Sequence, residues 1–91
     1  MTFLGLGRFP AGTRVRFVTD WGYSMTLKPG ECGTVVGIDS SMGLEPPIIY
    51  CVDWDNEGVD RHDCDGLSRP MHGWNVTEDM IREVPWKEIG K

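Results

Sequence analysis

Between residues 13 and 18 the chain reads TRVRFV, with Val15 and Phe17 in one register and Arg14 and Arg16 in the other. That period of two belongs to a strand buried on one face. CGTVVGID, residues 32–39, is a second strand in which Gly33 and Gly37 share the side of Val35. Glycines so placed predict a strand that bends sharply or passes close beneath another backbone. The strongest alternation is IIYCVDWD, residues 48–55, where Ile48, Tyr50, Val52 and Trp54 fall on one face and Ile49, Cys51, Asp53 and Asp55 on the other. Trp54 is therefore expected in the core. DNEG, residues 55–58, suits a type I turn with Gly58 in the left-handed position of a bulged hairpin, which makes 58–64 the return strand. GWNV, from Gly73, reads as a short strand or strand entry, and TEDM, from Thr77, as one helical turn with Thr77 as N-cap and acids behind it. IREV, residues 81–84, is the last strand.

Two stretches break the alternation. TDWGYSMTLKPGE, residues 19–31, is long for a hairpin and ends in Pro29-Gly30, so it is expected to be an extended surface loop. SSMGLEPP, residues 40–47, is a second loop, closed by two prolines that deny ladder donors. A long first loop, a late bulged hairpin and one helical turn before the last strand is the element order of an SH3-like barrel. The expected fold class is all-β: a small five-stranded SH3-like barrel over residues 12–84 with one short helical turn before the last strand. An apolar N-terminal arm, residues 1–11, precedes it, and a short C-terminal tail, residues 85–91, follows.

Composition agrees with that reading. Twelve glycines and six prolines in 91 residues weigh against helix. Nine basic against fourteen acidic residues leave a net charge of −5, which repels phosphate backbones and disfavours direct nucleic-acid binding. The opening MTFLGLGRFP lacks a basic n-region and a long apolar run, so neither a signal peptide nor a membrane span is expected and the chain is read as cytoplasmic. Cys32, Cys51 and Cys64 are odd in number and far apart, the pattern of reduced thiols rather than a disulfide framework.

KPGECGTVVGI, Lys28 to Ile38, resembles the turn-glycine-Thr-Val pattern of KOW-type and other SH3-like barrels. YCVDWDNEGVDRHDCDG, Tyr50 to Gly66, resembles the tryptophan hairpin of small barrels common in bacteriophages and bacteria, which often carry a His-x-Cys pair and a Gly-His-Gly-Trp-like tail. The likeness spans roughly residues 12–84 and implies fold more than activity. One departure is Met71, which stands where a glycine often precedes the second histidine.

The chemistry concentrates in RHDCDGLSRPMHGWNV, Arg61 to Val76. His62 and Cys64 would emerge on one face of a strand, His72 returns eight residues later, and Cys51 or Asp65 could add a fourth donor to a zinc site. The CxxC knuckle is missing, so the preferred reading has His62 and His72 pinning the loop by hydrogen bonds and Cys64 packing as a small core residue. No cofactor is then implied; a structural zinc is the alternative. A nucleophilic Cys64 is disfavoured because Asp63 and Asp65 beside it raise a thiol's pKa. Asp53, Asp55, Glu57 and Asp60, with Asp63 and Asp65, make the hairpin acidic, and Trp21 and Tyr23 offer loop aromatics, together a surface for a basic protein partner such as a nucleic-acid-binding protein. The arm bearing Phe3, Leu4, Leu6 and Phe9 packs on its own barrel or on a second copy. The expected function is a non-enzymatic protein-interaction module, a phage or mobile-element accessory protein or host-defence inhibitor. A KOW-like nucleic-acid or ribonucleoprotein contact through Arg8, Arg14 and Arg16 is the competing class, and a small zinc-binding domain, which as an enzyme would need an open metal position, is the third.

Overall fold

The computed structural model describes residues 9–19, 26–39 and 48–85. Five strands, β1 (Arg14–Phe17), β2 (Cys32–Asp39), β3 (Ile49–Trp54), β4 (Gly73–Thr77) and β5 (Ile81–Glu83), form one sheet. Their order is β4-β3-β2-β1-β5 and every neighbouring pair is antiparallel. Two 3-10 turns, Cys64–Gly66 and Glu78–Met80, are the helical structure among the described residues. No described helix is long and apolar enough to cross a membrane.

The alternating runs bury the faces expected of them. Val15 and Phe17 of β1, and Tyr50, Val52 and Trp54 of β3, lie inside together with Ile48, Val35, Val76, Met80 and Ile81. Phe17 meets Trp54 edge-on at 6.0 Å between ring centroids, and Phe9, the one of the arm's four large apolar residues that is described, packs against Tyr50 at 5.4 Å. The Trp54 indole N–H donates to the Trp74 carbonyl at 3.3 Å, so the ring is buried with its polar edge satisfied.

β2 bends where its glycines stand. Its register with β3 shifts between Val35 and Gly37. Gly33 lies directly against β3, where an added Cβ would sit 2.7 Å from the Asp53 carbonyl oxygen and from Val52 Cγ1, and 2.9 Å from Trp54 Cε3. Only a residue without a side chain allows that approach.

The fourth strand is not the expected one. Residues 58–64 form turns with a single bridge, His62 to Gly73, and β3 pairs instead with Gly73–Thr77. The cause is the side chain of Arg61, which turns inward to Glu31 Oε2 (3.0 Å) and Thr26 Oγ1 (3.1 Å). Gly58 beneath it is buried and lies outside the left-handed region, so the proposed bulged turn is absent. Val59, the one apolar side chain of VDRHDC beside its cysteine, is 81% exposed. Trp74 and Val76 supply what β3 needs from a neighbour, an apolar row continuing that of Tyr50 and Val52. Thr77 does precede the helical turn, although its hydroxyl bonds the Asp79 carboxylate rather than a backbone N–H.

Candidate functional site

Cys51 lies on the outward row of β3, opposite Asn75 on β4 and Gly37 on β2. The segment from His62 to Ser68 folds back over this face. His62 and Gly73 exchange backbone hydrogen bonds of 2.8 and 2.7 Å, and the chain then turns through three consecutive left-handed residues, Cys64 (φ 49°), Asp65 (φ 56°) and Gly66 (φ 92°). Two of these are not glycine, a backbone strain that the surrounding contacts must hold. Leu67 ends above Gly37, 3.3 Å from where a Cβ would stand, and Cys64 Sγ presses on Gly73 at 2.8 Å by the same measure. Between segment and sheet lies an open cleft of about 410 Å³, lined by Ile38, Asp39, Cys51, His62, Cys64, Asp65, Leu67 and Asn75.

Two thiols line it, Cys51 from the sheet and Cys64 from the overlying segment. A hydrogen bond between them lowers the Cys64 pKa, helped by the Ser68 hydroxyl and opposed by burial and by the charges of Asp53 and Asp63. The same hydrogen bond, with burial and the carboxylates of Asp39 and Asp65, pushes Cys51 well up. Asp63 thus acts on Cys64 in the expected direction and is outweighed by two hydrogen bonds, a correction to the reading from neighbouring charge alone. As a thiol, Cys64 donates to Asn75 Oδ1 at 3.9 Å, and Asn75 Nδ2 donates to Asp39 Oδ2 at 2.9 Å.

The two histidines do different work. The Cys64 backbone N–H donates to His62 Nδ1 at 2.9 Å, so the imidazole holds the turn instead of meeting the thiol, and its ring lies 5.8 Å from that of Trp74. His72 stands apart from the cleft, its Nδ1 2.6 Å from the Trp54 carbonyl. A carbonyl only accepts, so Nδ1 carries the ring proton. Cys51, His62 and Cys64 therefore share one cleft and His72 does not. Among the described residues no three His, Cys, Asp or Glu side chains gather as a metal site.

Two acids of the hairpin, Asp55 and Asp53, are held by the protein's own cations. Arg14 forks onto Asp55 at 2.8 and 2.7 Å, and Arg69 reaches Asp53 at 2.8 Å with its guanidinium and 3.0 Å with its backbone N–H. The Asp55 carboxyl is held below its ordinary range by Arg14; for Asp53, burial pushes upward and the Arg69 hydrogen bonds more than offset it. Asp60 accepts from the Thr26 hydroxyl at 2.6 Å, while Glu57 is exposed. Trp21, Tyr23, Arg8 and residues 1–7 of the arm lie outside the described residues. Asp39, Asn75, Ile38 and Leu67 were not singled out from the sequence, because their meeting depends on β4 being 73–77. Protein-family models, curated proteins and solved structures were compared with the chain, and none matches.

Proposed function

We propose that the chain is a non-enzymatic protein-interaction module, an SH3-like barrel that receives a lysine- or arginine-bearing segment of a protein partner in the cleft between the His62–Ser68 segment and the sheet. The return of β5 to the side of β1, the bend in β2 and the 3-10 turn before β5 favour the barrel. The observation that carries the docking reading is the lining of the cleft: Ile38 and the exposed Leu67 form apolar walls, and Asp39 and Asp65 add carboxylates, on a chain of net charge −5. A long basic side chain buries its stem on such walls and leaves its charged head at the acids. His62 has committed Nδ1 to a backbone N–H, which favours a binding role over a Cys-His catalytic pair.

A fluorescence titration with peptides that alternate Lys or Arg with apolar residues tests this. Binding should weaken with salt, vanish when the basic residues become Glu, and fall about tenfold in Asp39→Asn/Asp65→Asn, the loss of about 1.4 kcal/mol expected for two exposed pairs. Asn tolerates the left-handed backbone at 65, so the fold is spared. Equal binding of basic and acidic peptides, or an undiminished affinity in the double variant, would refute the reading. A gel shift with single- and double-stranded DNA at low salt should show nothing. A tight, salt-sensitive shift would instead favour the nucleic-acid reading, in which Arg14 would have to leave Asp55.

A further inference from the structure

We propose that Cys51 and Cys64 are an oxidisable pair, a modification site at which hydrogen peroxide or another small hydroperoxide joins them in a disulfide that ties the Cys64–Gly66 turn to β3. The geometry converges on this from both sides of the cleft. Cys51 projects outward from β3 opposite Asn75, and Cys64 comes down from the turn until its sulfur is 3.9 Å from Asn75 Oδ1. The two thiols line the same open cleft, and each shifts the other's pKa. The backbone that aims Cys64 at the sheet is left-handed at two successive non-glycine residues, so the fold maintains a strained turn that holds this thiol in the cleft that Cys51 also lines. Cys32 provides a contrast within the chain: half-exposed at the start of β2, it donates to the Gly30 carbonyl at 3.8 Å and does not line the cleft.

The asymmetry of the pair assigns the steps. Cys64, whose anion is stabilised by the Cys51 thiol and the Ser68 hydroxyl, is the nucleophile. Its thiolate attacks one peroxide oxygen, the O–O bond breaks, and the departing hydroxide takes a proton to become water, leaving Cys64 as a sulfenic acid. The negative charge that helped hold the Cys51 proton is then gone. Cys51 releases that proton to solvent and attacks the Cys64 sulfur, forming S–S as S–O breaks, and the second hydroxide leaves as water. Two thiols lose two electrons in total, and one hydrogen peroxide is reduced to two waters, or an organic hydroperoxide to its alcohol and one water.

The test uses the folded chain carrying Cys32→Ser, exposed to graded hydrogen peroxide, quenched, unfolded and alkylated. Alkylatable thiols should fall from two to none, with a mass two hydrogens lower, a Cys51–Cys64 link in the peptide map and full reversal by dithiothreitol. In Cys32→Ser/Cys51→Ser, Cys64 should gain oxygen instead of a link. The proposal is overturned if both thiols stay alkylatable at doses that oxidise Cys32 in the unsubstituted chain. It is equally overturned if Cys64 gains oxygen while Cys51 stays reduced beside it, or if the links join separate chains.

Discussion

Replacing Arg61 by Met should destabilise the fold more than any surface change, because Arg61 ties three separate parts of the chain together from inside. Its side chain is 1% exposed and that of its partner Glu31 is 13% exposed. The guanidinium donates to Thr26 Oγ1 ahead of β2, to Glu31 Oε2 at 3.0 Å, and to the Asn56 carbonyl after β3. Methionine fills comparable volume but donates nothing, leaving the Glu31 carboxylate with the Lys28 backbone N–H (2.9 Å) and an Oε1 that is already buried without a described partner. Removing one member of a buried ion pair typically costs about 3–5 kcal/mol, against a total of about 5–15 kcal/mol for a domain of this kind. Urea unfolding should therefore show a midpoint lower by at least about 1 M, at the slope of about 1–3 kcal/mol/M usual for small proteins. The companion variant Glu31→Gln/Arg61→Met should recover part of that loss, since no unpaired charge remains. A single variant within about 1 kcal/mol of the parent, or a double variant whose loss is the sum of the two singles, would refute a coupled buried pair.

Gly33→Ala should lower the melting temperature by several degrees, corresponding to about 1–3 kcal/mol of overpacking, because the new Cβ meets the Asp53 backbone carbonyl at 2.7 Å; calorimetry giving the parent's melting point would show that β2 and β3 are further apart. Acid should weaken the fold through Asp53 and Asp55. Their folded pKa values lie below the ordinary carboxylate value, so their contribution is complete above about pH 4 and disappears as pH falls through the depressed values. A melting series against pH should show that loss in the parent and a shallower one in Asp53→Asn/Asp55→Asn; identical slopes would mean that the arginine pairs contribute nothing.

Alternation carried most of the fold because it reports a physical requirement that is local: a strand with one buried face must repeat every two residues. β1, β3 and the first half of β2 satisfied it; β5 forms where expected although only Ile81 of its three residues is buried, and a helical turn precedes it although Thr77 does not cap it. The failure at 58–64 has the same root. VDRHDC alternates only weakly, and what removes it from the sheet is an inward arginine whose partners, Glu31 and Thr26, lie thirty or more residues away. Alternation has no term for a long-range ion pair, so it gives no sign that Arg61 turns inward.

The site was legible in its residue types and not in its arrangement. Cys51, His62 and Cys64 stood out as a chemical cluster, and they do meet; His72 stood out with them, yet it is turned to the Trp54 carbonyl by the same loop that delivers Cys64. That division follows from the left-handed turn at Cys64 and Asp65. Had 58–64 continued as a strand, His62 and Cys64 would share one face and His72 could complete a ligand set. The turn instead places the Cys64 N–H on His62 and puts its thiol in the cleft that Cys51 lines, replacing a three-donor constellation by a two-thiol one. The acidic hairpin changes meaning for a related reason: Arg14 and Arg69 come from distant positions to meet Asp55 and Asp53. The carboxylates that line the open cleft are Asp39 and Asp65, so the proposed basic segment would meet the outer face of the sheet, beside the thiols.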